Sequence, residues 1–523
     1  MMHRLHILNV SAAMVLAVGA VACNNDKLTE LNRNPNAPED VPPVTLFTNA
    51  VQSAVSRWNG GGSSNLRGAE FIIQHMAEAQ YPDEDRYTRL GAAQTQGLFT
   101  GPYAGELEDL KVVTRKGIAA NDPGMWAPAE VLSVWSFANI TNTFGDVPYS
   151  QALAADSAGG TTTPKYDMQK DIYTDLFRRL DAASKALSSA SPSLGRADPM
   201  FGGDTKGWQR FANSLRARFA MLLVNVDKAT ADAQLRAALA APSGIILSNA
   251  QNAKLTWPGD GVFDNPWASF FQGRDDNRMS QTLINILVAN SDPRLPVYAQ
   301  PTIDFQQGKA GAAQYAGMPN GLTASAAGGF ATKASRPGAV FYPGATAYGF
   351  FGGGGKSWPA FLFTAAEGNL ILAEAAERGI GGLTAAQAKS NYEAGVRASM
   401  DQWGVSASAA STYIASAAGA YKGGTAGLTQ IAIEKWVALF SDGNTAWAEW
   451  RRTCQPATIK PGPAASISTI PRRFFYAPTE VSVNTASLNE AILRQGTDAF
   501  TTRMYWDAAP TAAPTFVNGC GQR

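Results

Sequence analysis

Charge is scarce in this chain. Asp, Glu, Lys and Arg make up 16% of its 523 residues and the formal net charge is +1, where about a quarter of residues is ordinarily charged. A nearly neutral chain has no electrostatic reason to seek nucleic acid or anionic lipid. Histidine is rarer, with three in all, and only His75 lies beyond the N-terminal apolar run. A Ser/His/Asp triad would have to use it, and no GxSxG elbow accompanies it. Within Phe71-Ile72-Ile73-Gln74-His75-Met76 it reads as a helix-packing residue, and a histidine-based zinc site lacks partners. The run Gly352-Gly353-Gly354-Gly355-Lys356-Ser357 ends like a phosphate-binding loop, but Phe350 stands where that loop needs its first glycine, which excludes nucleotide binding. No second long apolar run exists, so nothing else reads as a bilayer-spanning helix.

Cysteine is also sparse, with three residues, and the first is the most informative. Cys23 directly follows the apolar run Ile7 to Ala22, behind Arg4 and next to the small residues Ala20-Val21-Ala22. That is how a bacterial lipoprotein signal peptide ends. Residues 1–22 are therefore expected to be removed. Cys23 becomes a lipidated, palmitate-bearing N-terminus, and residues 23–40 form a polar tether. An ordinary secretory signal cut near Ala22 is the alternative. Either cut removes Arg4 and leaves 42 basic and 42 acidic residues. Cys454 and Cys520 then lie outside the cytoplasm, where a disulfide persists. A bridge between them is expected, because exported cysteines without metal-type spacing have few other uses. It would contribute about 4 kcal/mol in the chain-entropy picture. Two unrelated thiols are the alternative.

Most of the remainder reads as helix pairs, a mainly α fold with long irregular loops and little β structure. Ile172, Leu176, Leu180, Ala183 and Leu187 recur at helical spacing behind Asp167, a cap candidate. Trp208, Phe211, Leu215, Phe219 and Leu222 form a second stripe. Ala129 to Ile140 is continuously apolar and should be a buried helix, stopped at Phe144-Gly145-Asp146-Val147-Pro148, where Gly145 can take a left-handed cap. Further helices are expected over 358–378 and 428–440, then a turn at Ser441-Asp442-Gly443-Asn444 before a helix over 445–452. The region near 302–357 differs. It is rich in Gly and Ala, broken by Pro319, Pro337 and Pro343, and carries Tyr315, Phe341, Tyr342, Tyr348, Phe350 and Phe351 as exposed-looking aromatics. It reads as a large loop insertion within a single domain over 41–523, and such loops often carry function.

Two carboxylate clusters, Asp83-Glu84-Asp85 and Asp275-Asp276, read as solvated loop charge. Acids such as Asp85 and Asp275 could instead cleave glycosides at the right separation, and loop oxygens could hold a structural calcium. The aromatic loops offer more. Flat rings beside polar groups suit sugar faces or peptide side chains. Tyr81, Arg86 and Tyr87 share one polar loop. Trp257, Trp267, Phe270 and Phe271 lie near Arg274 in another. Tyr81, Arg86, Tyr87, Trp257, Trp267, Phe271 and Arg274 are the candidate ligand-binding residues.

A set of motifs in fixed order identifies a family. These are Leu28-Thr29-Glu30-Leu31-Asn32-Arg33-Asn34-Pro35-Asn36, Phe144 to Tyr149, Pro164-Lys165-Tyr166-Asp167, Trp208 with Phe211 to Leu215, and Asp292-Pro293-Arg294-Leu295. The most specific stretch is Glu434-Lys435-Trp436-Val437-Ala438-Leu439-Phe440, continuing into Ala446 to Arg452, then Pro471-Arg472-Arg473 and Tyr476. The chain resembles the SusD/RagB-like outer-membrane lipoproteins. The resemblance implies tetratricopeptide-like helix pairs forming an α-superhelical scaffold. It implies an outer-membrane, lipid-anchored protein facing the cell exterior. Such a protein binds nutrient, with oligosaccharide the expected class and peptide open, and delivers it to a SusC-like TonB-dependent transporter. It implies binding without catalysis and without a cofactor. An exported glycoside hydrolase and a protein-binding tetratricopeptide scaffold are the rival readings. The Trp and Arg residues of the motifs read as helix-packing and capping features.

Overall fold

The computed structural model describes residues 41–62, 64–157, 159–345 and 354–507. Cys23, the tether, the 28–36 motif, Cys520, Tyr348, Phe350 and Phe351 lie outside the described residues.

Long helices dominate, as the periodicity predicts. They are α1 (Pro43–Asn59), α2 (Ala92–Ala104), α3 (Glu106–Ala119), α4 (Pro123–Phe144), α5 (Gln169–Leu187), α6 (Thr205–Leu223), α7 (Lys228–Ala240), α8 (Pro266–Gly273) and α9 (Gln281–Ala289). After a loop-rich stretch come α10 (Ala365–Arg378), α11 (Ala388–Gln402), α12 (Ala407–Ala415), α13 (Gly424–Ala438), α14 (Gly443–Thr453), α15 (Pro478–Val483) and α16 (Thr485–Gln495). Neighbours in sequence pack on one another from α3 through α7, and again from α10 through α12, which gives stacked helix pairs. Among the described residues, no helix is long and apolar enough to cross a membrane.

Helix α4 runs through the middle and is buried along most of its length. Asp122 starts it by accepting from the Met125 amide at 3.1 Å, and Pro123 fits the first turn, where its missing N–H is not needed. Its end depends on Gly145, whose φ is +88°. A Cβ there would meet the Gln495 amide oxygen at 1.9 Å, so only glycine fits. Asp146 then acts as a clamp. Its carboxylate accepts from the Gln169 amide at 2.9 Å and pairs with Arg494, and its own amide donates to Gln495 at 2.7 Å. The first turn of α5 is thus capped from a distance by Asp146. Asp167, the cap expected from sequence, instead accepts from Ser150 and faces Lys165, because strand pairing at 166–167 holds it one step before the helix.

The strands form three two-stranded antiparallel ribbons between remote segments: β1 (Met76–Glu78) with β5 (Asn277–Met279), β2 (Val147–Pro148) with β3 (Tyr166–Asp167), and β4 (Ala253–Leu255) with β6 (Ala360–Phe363). The last corrects an expectation. Residues 358–364 are not helical; Ala360–Phe363 is a buried strand, and α10 starts only after Thr364, whose hydroxyl accepts from the Glu367 amide. A short apolar run is ambiguous between strand and buried helix, and the remote partner β4 decides it.

The glycine- and alanine-rich stretch is more ordered than its composition suggests. Short helical turns punctuate it, and bridges tie Met318 to Ser280 and Pro337 to Ala299. Phe341 is core, against Trp267, Trp358 and Phe440, not the exposed ring expected from sequence. Cys454 is buried where α14 ends.

The motifs with Trp and Arg are internal fastenings. Trp436 donates its indole N–H to the Ile73 carbonyl at 3.0 Å, and Trp447 to Pro471 at 2.9 Å. Arg294 is buried and pairs with Asp292 and Glu434. Arg451 lies over the Trp447 ring at 3.9 Å and donates to the carbonyls of Asn142 and Arg472. His75 is fully buried, held between the Glu70 carboxylate and the Trp436 carbonyl, each at 2.9 Å. That is the packing role its apolar context predicts.

Candidate functional site

Strand β1 delivers the candidate binding loop. Its ladder with β5 places Met76 opposite Met279, Ala77 opposite Arg278 and Glu78 opposite Asn277. The pairing extends one step, with the Ala79 amide donating to the Asp276 carbonyl at 2.7 Å. The loop after β1 and the segment before β5 therefore emerge side by side. Tyr81 stands at the tip of the first, 62% exposed and in the left-handed backbone region at φ +55°. Arg274 stands on the second.

Arg274 joins the rings into one face. Its guanidinium lies 5.8 Å from the Tyr81 ring centre and 5.3 Å from that of Phe270, within cation–π range. Its Nε donates to Asp276 at 2.6 Å, which fixes its orientation, while 40% of the side chain remains open to solvent. Phe270 comes from α8. That short helix turns Trp267 and Phe271, one turn apart, toward the core and leaves Phe270 half-exposed. Phe271 in turn stacks on the half-buried Tyr342 at 4.9 Å. Asp275 is shared by Arg278 and Arg336. Burial works against its charge, but the bonds and charge of Arg336 and Arg278 overcome this and hold its pKa below the ordinary carboxylate value. The result is a shallow face of ring surfaces with oriented donors at their edges.

The expected site residues divide. Tyr81 and Arg274 meet on this face. Arg86 does not: its Nε donates to the Ala464 carbonyl at 3.2 Å and its own carbonyl accepts from the Ser466 amide, so it fastens the loop to the 460–468 segment. Tyr87, Trp257, Trp267 and Phe271 are core residues, each no more than 5% exposed. Trp267 donates its N–H to the Asn59 carbonyl and packs against Phe341 and Trp358. It offers no ring face to a ligand. Trp267→Ala is expected to cost about 3–5 kcal/mol through the cavity left behind, read as a lower denaturation midpoint. Phe270 and Tyr342 belong to the face in their place. The spacing Trp267-x-x-x-Phe271 was the available signal: two large apolar residues one helical turn apart mark the inward side, and Phe270 then falls outside it.

Of the clustered carboxylates Asp83 is open to solvent, as expected, but its neighbours are not. Glu84 and Asp85 are both buried. Asp85 accepts from the Asn320 side chain at 2.7 Å and from the amides of Gly321 and Glu78. Burial nonetheless pushes its pKa up to about 7. Fully occupied and below the surface, it cannot serve a glycosidic bond. Asp275 is held between two arginines. Among the described residues, no group of three or more His, Cys, Asp or Glu side chains could hold a metal.

A cavity of about 670 Å³ lies elsewhere, between α9 and α13. Its lining includes Gln281, Asn285, Asn290, Lys422, Thr429 and Ile433, and no aromatic ring.

The profile of the SusD-like family described as starch-binding and associating with the outer membrane matches residues 35–477. Solved structures similar to this chain include a chitin-binding SusD homolog from Flavobacterium johnsoniae, 24% identical, with a TM-score of 0.75 over 91% of this chain and 99% of that one. A SusD homolog from Bacteroides fragilis NCTC 9343 is 22% identical, with a TM-score of 0.75 over 90% of this chain and 99% of that one. Another, from Bacteroides uniformis ATCC 8492, is 22% identical, with a TM-score of 0.71 over 90% and 100%. No curated protein matches the sequence.

Proposed function

The chain belongs to the SusD-like family, and from that premise we propose that it is the lipid-anchored, exterior-facing binding subunit of an outer-membrane nutrient importer. Its ligand is an oligosaccharide, which it passes to a SusC-like TonB-dependent transporter. The observation that carries this reading is the Tyr81–Arg274–Phe270 face, where aromatic surface is held open to solvent by a cation clamped between two rings. Tyr81 is mostly exposed and Phe270 half-exposed, so both rings offer surface to a ligand. Sugar rings present flat C–H faces with hydroxyls at their rims, so stacking with donors at the edge is the matching chemistry.

The lipid at Cys23 fits the same role, since a tethered receptor keeps its ligand close to the transporter. The occupied state of Asp85 and Asp275 supports binding over hydrolysis. The test is titration calorimetry against starch- and chitin-derived oligosaccharides, together with an assay for new reducing ends. Binding heat without cleavage is expected. New reducing ends would favour the hydrolase reading. Heat with peptides and with none of the glycans would favour a protein-binding scaffold.

A further inference from the structure

Beneath the Tyr81 loop lies a group of buried oxygens short of donors. Glu78, the last residue of β1, is fully buried, and neither of its carboxyl oxygens meets an N–H or O–H donor among the described residues. One oxygen of Glu84 is in the same condition, and so is the side-chain oxygen of Asn277, which faces Glu78 across the ladder. Two opposed residues of an antiparallel pair project on the same side, about 5 Å apart at Cβ. An ionised carboxylate left so is strongly disfavoured.

The surroundings define the electrostatics. From the turn before β1, Arg67 pairs with Glu84. From the loop itself, Asp85 adds negative charge, and Tyr87 is buried nearby with its hydroxyl pKa raised by burial and by Asp85. From the β5 side, Arg278 and Arg274 are committed to Asp275 and Asp276, and from the segment after it Asn320 serves Asp85. His75, on the same chain segment, is committed to Glu70 and the Trp436 carbonyl. One cation thus faces three carboxyls. The Asp85 carboxylate accepts from the Glu78 amide, which places a second acid beside the buried Glu78, and the charge of Glu84 acts on it as well.

We propose that a proton held by the buried Glu78 fastens the Tyr81 loop, and that its loss at alkaline pH releases the loop and the binding face it carries. Asp85 and Glu84 belong to the loop, and β1 continues directly into it, so a charged Glu78 repels the loop's own acids. Burial first, and then the charges of Glu84 and Asp85, push the Glu78 pKa from 4.5 up to about 10. The sign follows. The closed loop holds a proton that the open, hydrated loop releases, so closure is favoured at low pH and weakens as pH rises from 4.5 toward 10. One proton released per opening makes the open population grow about tenfold per pH unit in that window. Asp85, with its pKa also raised, acts in the same direction at lower pH.

That loop release weakens ligand binding rests on the function proposed above; the release itself does not. Hydrogen exchange on the ligand-free protein therefore separates the two. Amides of residues 79–90 are followed between about pH 7.5 and pH 9.5, above the range in which Asp85 contributes and corrected for intrinsic exchange. Protection in the wild type should fall by about tenfold per pH unit. In Glu78→Gln, an uncharged isostere of the protonated acid, it should not change. Glu84→Gln removes one of the repelling charges while burial and Asp85 remain, so its fall in protection should end at a lower pH than in the wild type; this covers the case in which the first variant fails to fold. A pH-independent wild type, a wild-type slope in folded Glu78→Gln, or a Glu84→Gln profile superimposed on the wild type would overturn the proposal.

Discussion

Replacing Arg452 with alanine is expected to lower stability by about 3–5 kcal/mol, the usual consequence of stranding the partners of a buried ion pair. Arg452 is fully buried and holds both oxygens of Glu374 in a fork, at 2.6 and 2.7 Å, while also reaching Glu449. Glu374 takes a further bond from Arg378, and Glu449 faces Lys435. The cluster joins α10, α13 and α14 in the core. Burial alone would neutralise Glu374; the charges of Arg452 and Arg378 outweigh it and hold its pKa well below the usual range. Without Arg452 two buried carboxylates share the remaining cations. A whole protein is stable by only about 5–15 kcal/mol, so the loss is a large part of the total. Arg452→Lys keeps the charge and loses the fork, and should fall between. Denaturant midpoints of the two variants and the wild type check the order.

The second large effect concerns binding. Tyr81→Asn should weaken the affinity for a bound oligosaccharide by about 30-fold, the ~2 kcal/mol expected of a central aromatic contact. Asparagine is the informative replacement because it tolerates the left-handed backbone at this position, so that loss of the ring is not confused with strain. Tyr81 is mostly exposed, and a surface change of this kind usually alters stability by no more than about 0.5 kcal/mol. Arg274→Ala is less clean, since it strands the buried Asp276 carboxylate. Calorimetric affinity beside an unchanged melting temperature is the expected pattern.

The helical scaffold was legible because long amphipathic stretches carry their own period. The stripes over 172–187 and 208–222 mark α5 and α6, and the unbroken apolar run over 129–140 marks the buried α4. Legibility failed where a distant partner decides. Nothing local in Ala360–Phe363 announces β4, and nothing in Asp167 announces that Asp146 will cap its helix. The site was half legible for the same reason. Tyr81 and Arg274 were recognisable as polar-loop residues with apolar surface, but burial of Tyr87, Trp257 and Trp267 follows from contacts with segments far along the chain, such as Phe341 and Trp358 on Trp267. The clustered acids show the limit most sharply. Asp83-Glu84-Asp85 looks like solvated charge, and only the fold shows that Asn320, Gly321 and Arg67 enclose its last two members.

The central claim is that an oligosaccharide binds on the face carrying Tyr81. The most direct measurement is hydrogen exchange with and without the tightest-binding oligosaccharide of the starch and chitin series. Protection is predicted in residues 79–90, 266–276 and 336–345, the three segments that meet at that face. Protection confined to α9 and α13, around the cavity between them, would contradict it.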